Sequence, residues 1–216
     1  MQPATQFLLR QATAMDIPVL RSLIALSVRE LQKDDYSSAQ IDGALGHALG
    51  LDTQLIEDGT YFVAEAVEQG GAEAVTQGGA EAVAQGGSEA VTQGGLEPVA
   101  QGGSIVGCGG WSNRKTLFGS DHGPNRVPAL LDPATDAAKI RAIFVHPRWA
   151  RKGLGTLILK HCEDAAQRAG FSTLEMGSTL TGVPLYALRG YVAREHVAVP
   201  LPNGETLPIV HMVKVL

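Results

Sequence analysis

Apolar positions along this chain follow two rhythms, and a third, repetitive one interrupts them. Phe7-Leu8-Leu9-Arg10 is a short apolar run suited to a strand. Ile17, Leu20, Ile24 and Leu31 then recur at helical spacing. Ahead of them Thr13 and Asp16 stand three apart like a capping box, with Asp in place of the usual Glu or Gln. Pro18 falls in the first turn, where its missing N–H is harmless. Ile41, Leu45 and Leu49 predict a second helix over Ser38–Leu49. Asp58-Gly59 marks a turn, and Thr60-Tyr61-Phe62-Val63-Ala64 reads as a strand.

The pattern then turns periodic. From Ala64 to Gly103 the chain runs AEAVEQGG, AEAVTQGG, AEAVAQGG, SEAVTQGG, LEPVAQGG, five copies of an eight-residue unit, each closed by a glycine pair. A small solenoid with Gly-Gly corners is one reading. A tandem expansion within a surface loop is the other, and it is preferred: each unit offers little beyond Val and Ala to offset the entropy of ordering two glycines. Loop-closure entropy, moreover, grows only logarithmically with length. Strand character resumes at Ser104-Ile105-Val106-Gly107-Cys108. Removing Val67 to Gly102 would leave a plain strand–turn–strand across Phe62–Ala64 and Ile105–Gly107. Residues 65–103 are therefore expected to be a flexible insert in a hairpin of a single domain spanning 1–216.

Asn113 to Asp136, rich in Gly, Pro and Asp, predicts an irregular loop, and Lys139–Val145 a strand ended by His146-Pro147. Leu154, Ile158, Cys162, Ala165 and Ala169 share one helical face, with Gly170 as a C-cap. Ser172–Met176 predicts a further strand. Glu195–Val199 and Pro208–Val213, joined through Leu201-Pro202-Asn203-Gly204, predict a closing hairpin.

Composition narrows the function classes. The 216 residues are 44% hydrophobic and 18% charged, an ordinary globular balance, with a net charge of −5 that argues against a general nucleic-acid surface. No apolar run approaches the roughly 20 residues of a membrane span, and the first ten residues lack signal-peptide features, so a cytoplasmic location is expected. Cys108 and Cys162 stand far apart with no CxxC or His/Cys cluster, which predicts neither a metal site nor a disulfide.

Candidate chemistry sits between Lys139 and Tyr191. A strand, then Arg148-Trp149-Ala150-Arg151-Lys152-Gly153-Leu154-Gly155-Thr156, then a helix is an anion-binding arrangement. The first helical N–H groups lack intrahelical partners, and the helix dipole is positive there. Gly153 and Gly155 let a diphosphate approach the backbone, and Arg151 and Lys152 add counter-charge. The loop is neither GxxxxGK[ST] nor a full GxGxxG.

This stretch resembles motif A of the GNAT N-acetyltransferase superfamily, [Gln/Arg]-x-x-Gly-x-[Gly/Ala] after a strand ending in Val-His-Pro. Gly153 and Gly155 match the glycines, and Ala150 stands at the usual Gln/Arg position. Pro184-Leu185-Tyr186-Ala187-Leu188-Arg189-Gly190-Tyr191 is similar to the family's FYxxxGF segment. The resemblance implies an α/β (α+β) fold: a mixed, mostly antiparallel, V-splayed sheet flanked by helices, here with the octapeptide insert in the strand 2–3 hairpin.

It also implies acetyl-CoA as co-substrate, no metal, and acetyl transfer to a primary amine by direct attack in a ternary complex. Ile143, Phe144 and Val145 would line the pantetheine arm across a bulge, with the Val145 N–H facing the thioester oxygen. Arg151, Lys152, Gly153, Leu154, Gly155 and Thr156 would hold the diphosphate. Tyr186, a phenol with an ordinary pKa of about 10, would protonate the departing thiolate. Tyr191 is expected in the core, and Ser27–Tyr36 beside the acceptor. No general base stands out, since Lys139, Arg141 and Ala142 precede Val145 without a carboxylate; a water chain, Asp35 and Tyr36 are weighed for that role. The alternatives are a non-catalytic acyl-CoA sensor or scaffold and a nucleotide-binding protein. Neither a nucleic acid nor a membrane is expected as partner, and pairing with a second copy is left open.

Overall fold

A computed structural model describes residues 6–67, 103–123 and 126–216. Its core is one seven-stranded sheet in the order β1-β2-β3-β4-β5-β7-β6. The strands are β1 (Gln6–Gln11), β2 (Tyr61–Val67), β3 (Ser104–Ser112), β4 (Ala138–Val145), β5 (Thr173–Thr179), β6 (Val192–Pro200) and β7 (Thr206–Val215). Every neighbouring pair is antiparallel except β4 and β5. That parallel pair meets only at Ala138↔Leu174 and Lys139↔Glu175. Beyond Lys139 the two strands diverge, and the sheet opens as a V.

Helices cover both faces. α1 (Ile17–Leu31), α2 (Ser38–Ala44) and α3 (Thr53–Glu57) lie on one side. There Leu20, Leu23, Ile24 and Val28 pack with Tyr61, Val63, Phe144 and Leu207. α4 (Leu154–Arg168) lies on the other, with Leu154, Ile158, Leu159, Cys162 and Ala166 against Val106, Ile140 and Leu174. The expected α4 face holds at Leu154, Ile158 and Cys162 but runs on through Ala166, and Ala169 is exposed. α5 (Val183–Leu188) follows a 3-10 turn at Leu180–Gly182.

The start of α1 is set by Asp16, whose carboxylate accepts from the Thr13 N–H at 2.8 Å and the Thr13 hydroxyl at 3.0 Å. The same carboxylate accepts from Nη1 and Nη2 of Arg10, each at 2.8 Å. α2 is shorter than its spacing predicts. It stops at Ala44, because Leu45 turns extended (ψ 126°) and Gly46 is left-handed (φ 75°). Leu45 and Leu49 instead close a small bridge that carries their side chains into the same core.

Residues 68–102 of the octapeptide tract lie outside the described residues. Its flanks pair as the sequence predicts, antiparallel, from Ala66↔Ser104 through Ala64↔Gly107 to Tyr61↔Gly110. The loop between β3 and β4 is irregular, as expected, and pinned by ion pairs: Arg114 to Asp58 at 2.6 Å, and Arg126 and Arg141 both to Asp52 at 2.9 Å. Leu201–Gly204 turns β6 into β7, closing the predicted hairpin. Among the described residues no helix is long and apolar enough to cross a membrane.

Candidate active site

The V between β4 and β5 is built by a defect in β4. Cys108 opposes Phe144, but Gly110 opposes Arg141, so Gly109 faces both Ala142 and Ile143. The resemblance puts a bulge within Ile143–Val145; the structure has it one residue earlier, at Ala142–Ile143, where Ala142 takes a left-handed conformation (φ 52°). Two distant residues hold it. The Tyr61 hydroxyl, fully buried, donates to the Ala142 carbonyl at 3.0 Å. Gly109 makes the space: a Cβ there would lie 2.7 Å from Ile143 Cγ1 and from Ile158 Cγ2.

Past the bulge the backbone edge of β4 faces the opening instead of β5. The Val145 N–H points to the Ser27 hydroxyl of α1 at 3.3 Å, and Ser27 is buried. Ile143 and Phe144 line a cavity of about 80 Å³ together with Gln32, Gly177, Thr179 and Tyr186. Tyr186 reaches it from α5. Its ring lies against Gly182, where a Cβ would come within 2.8 Å of Tyr186 Cε2, and edge-on to Tyr191 at 5.9 Å. Burial pushes the Tyr186 phenol above its ordinary range, so it stays protonated well beyond neutral pH. Tyr191 is buried, as expected.

The glycine loop lies where β4 ends. Arg151 (φ 61°) and Gly153 (φ 85°) are left-handed, and Gly153 is the N-cap of α4. The first hydrogen bond of α4 runs from the Leu157 N–H to the Gly153 carbonyl at 3.0 Å, so the N–H groups ahead of it turn into the open loop. Arg151, Lys152 and Gly153 are exposed, Gly155 and Thr156 half-buried, and Leu154 is buried as an anchor. Lys152 Nζ sits 4.8 Å over the Trp149 ring. The two glycines differ. Gly153 is required by its backbone angle. At Gly155 a Cβ would meet Leu185 Cδ2 at 3.4 Å and Val145 Cγ2 at 3.8 Å, ordinary contacts, so the fold itself does not exclude a side chain there.

Left-handed residues alternating with ordinary ones before a helix, as Arg151 and Gly153 do around Lys152, turn backbone N–H donors into a concave nest that suits a diphosphate. The strand edge beyond the bulge suits an extended amide chain, which could pair as an added strand. The structure thus brings Ile143, Phe144 and Tyr186 to one cavity; Arg151–Thr156 do not line it, and Val145 stands beside Gly155, where a Cβ would lie 3.8 Å from its Cγ2.

Several residues change meaning in three dimensions. Tyr36 is buried, and its hydroxyl donates to the Pro208 carbonyl at 2.7 Å while accepting from the Leu180 N–H at 2.8 Å. Tyr36 thus ties β7 to the turn before α5, and burial pushes its pKa up to about 12. Asp35 is exposed and takes the Thr181 hydroxyl at 2.6 Å. Lys139 is not alone on its strand edge: it pairs with Glu175 of β5, which His211 Nε2 also meets at 2.7 Å. Arg141 is buried among Asp52 and the carbonyls of Thr116 and Gly119, where burial works against its charge. His146 accepts from the Arg148 N–H at 3.2 Å, capping the turn after β4. Both cysteines are free and buried, and burial raises their thiol pKa values, that of Cys108 to about 12. Tyr61, Gly109 and Gly182 carry no signal in the sequence beyond their types.

Residues 129–216 match the acetyltransferase (GNAT) domain family. No curated protein matches the chain in sequence. Among solved structures, a GCN5-related N-acetyltransferase from Rhodopseudomonas palustris is similar with a TM-score of 0.58 at 20% identity, over 100% of this chain and 97% of that one. YncA from Salmonella typhimurium, with its cofactor acetyl-CoA, gives 0.56 at 16% identity, over 98% and 94%. The PaiA N-acetyltransferase from Thermoplasma acidophilum, in complex with coenzyme A, gives 0.53 at 10%, over 98% and 99%. At these identities the likeness is one of fold.

Proposed function

On a chain with the GNAT fold and a GNAT family match over residues 129–216, we propose that the protein transfers the acetyl group of acetyl-CoA to a primary amine by direct attack in a ternary complex. The observation that supports the reading best is proximity along one strand: Ile143 and Phe144 of the bulged edge of β4 line the cavity that holds Tyr186, and Val145 at the end of that edge stands beside Gly155 in the open first turn of α4, where a Cβ would lie 3.8 Å from its Cγ2. A diphosphate at Arg151–Thr156 and an acyl thioester beside Ile143–Val145 are an extended ligand laid along that edge. The coenzyme A bound to PaiA and the acetyl-CoA bound to YncA, both of this fold, point the same way.

In the proposed step the lone pair of a neutral amine forms the N–C bond at the acetyl carbon. The charge gathering on the carbonyl oxygen is met by the Val145 N–H, with the Ser27 hydroxyl moving aside or turning its own O–H to that oxygen. The C–S bond then breaks and Tyr186 delivers its proton to the departing thiolate. The extra proton on nitrogen passes to water, and the phenol is restored from solvent, so the sum is an amide and a free thiol. Holding amine and thioester together supplies much of the acceleration.

Thiol release from acetyl-CoA with a panel of primary amines tests the proposal. Amine-dependent release is expected, and Tyr186→Phe should slow it on the order of 10²-fold while acetyl-CoA affinity is kept. Tight acetyl-CoA binding with no turnover by any amine would make the protein an acyl-CoA sensor; preference for ATP over coenzyme A would make the loop a nucleotide site.

A further inference from the structure

We infer that Gln32 is the residue that holds the attacking amine, and that the site takes a primary amine on a narrow stem, entering uncharged. The inference rests on the acetyl-transfer reading and adds to it the acceptor's place and chemistry.

Gln32 caps the C-terminal end of α1, its N–H bonded to the Val28 carbonyl, and its side chain enters the cavity of Tyr186, Phe144 and Thr179. The residue is 7% exposed, and its amide oxygen has no hydrogen-bond partner among the described residues. A buried amide left so is costly, and buried polar groups are nearly always paired. Within this arrangement no neighbour supplies the partner: the Thr179 and Tyr186 hydroxyls share the cavity, yet neither bonds to it. Leu49, Phe118 and Met176 are apolar, the Ser178 hydroxyl donates to the Thr179 carbonyl at 2.8 Å, and the Arg141 guanidinium is committed to Asp52, Thr116 and Gly119. A ligand with an N–H donor would complete it.

The side from which Gln32 arrives identifies that ligand. α1 packs on one face of the sheet, while α4, with the glycine loop, and Tyr186 pack on the other. A thioester carried in from the α4 side presents its carbonyl carbon between Tyr186 and Gln32. The leaving sulfur then faces the phenol, and the opposite approach, where an amine must come, faces the amide. Among the described residues no carboxylate lines this cavity, so an ammonium finds no counter-ion in its lining, whereas a neutral amine can give one N–H to Gln32 and keep its lone pair for attack. The cavity, about 80 Å³ and partly open, favours an unbranched chain over a bulky ring system.

A bisubstrate conjugate tests this without knowledge of the natural acceptor. Coenzyme A, and coenzyme A whose sulfur is joined through an acetyl linker to propylamine nitrogen, would each be titrated into wild type, Gln32→Leu and Gln32→Met by calorimetry. In wild type the conjugate should bind about tenfold tighter than coenzyme A, and both variants should lose that gain while keeping their affinity for coenzyme A and their Tm. Variants that keep the gain, that lose affinity for both ligands alike, or that melt several degrees lower overturn the inference. So does a wild type that binds coenzyme A yet gains nothing from the conjugate. A wild type that fails to bind coenzyme A at all would instead remove the acetyl-transfer reading beneath it.

Discussion

Single atoms decide how well the proposed acid is placed. Gly182 leaves the space that the Tyr186 ring fills, and a methyl group there would sit 2.8 Å from Cε2. Gly182→Ala is expected to move the phenol and lower kcat about as much as Tyr186→Phe, with acetyl-CoA binding preserved; an unchanged kcat would separate the ring's position from the chemistry. The pH profile should carry the same mark. Burial raises the Tyr186 pKa, so its protonated form persists, and kcat should show no alkaline fall below about pH 10, the ordinary phenol value. The amine must be neutral to attack, so kcat/KM should instead climb with pH toward the amine's own pKa. A steady-state profile from pH 6 to 10 would show both, and a fall above neutrality would argue against Tyr186 as the acid.

At the scale of elements, the bulge and the glycine loop are held by different means. The bulge depends on a tyrosine from another strand: Tyr61→Phe leaves the Ala142 carbonyl without its buried donor, a loss of about 1–3 kcal/mol. Acetyl-CoA affinity should fall with it, because the edge of β4 is no longer aimed. The loop depends on its own backbone. Gly153→Ala forces a side chain into a left-handed conformation at a cost of about 1–2 kcal/mol, a drop in Tm of several degrees in a chain of this size. Gly155→Ala meets only ordinary contacts in the free protein, so its Tm should be unchanged while acetyl-CoA affinity falls. Thermal melts with and without ligand distinguish the two glycines, and equal effects of both changes on Tm would remove the ligand-clearance role assigned to Gly155.

These elements were unequally legible in the sequence. The basic glycine loop could be read because Arg151 to Gly155 is contiguous and the role proposed for it resides in backbone that glycine betrays. The strands and the two long helices were legible from periodicity. The break after Ala44 was not, since Leu45 and Leu49 keep helical spacing while serving a turn. Nor was Tyr61, 81 residues from the carbonyl it holds. Ser27 and Gln32 likewise acquire meaning only when α1 is laid across β4. The splay itself is a matter of which strands fail to pair, which no local pattern encodes.

Across the whole molecule, β1 is fastened through charge. Hydrogen bonds from Arg10 and the Thr13 N–H hold the Asp16 pKa down to about 2, against about 3.9 for an unfolded aspartate. A carboxylate depressed in the folded state adds stability that is complete above the unfolded value and lost as pH falls through the folded one. Between about pH 4 and 2 the wild type should therefore lose Tm more steeply than Asp16→Asn; parallel curves would show that the pair is inert. The octapeptide tract bears on the molecule differently. With Ala66 opposite Ser104, replacing 68–102 by a two-residue Asn-Gly turn should keep Tm and activity, as expected of an insert, while a collapse of either would make the tract part of the domain.

The divergence of β4 from β5 has one more consequence. It creates an unpaired strand edge, the kind of surface through which proteins zip together into aggregates, and keeps it in the middle of the sheet. The roof of α1, with Ser27 against Val145, covers that edge against a foreign strand. The edge proposed to receive the ligand is thus also the one that α1 keeps from foreign strands, and a lesion that lifts α1 should show as insolubility as well as lost turnover.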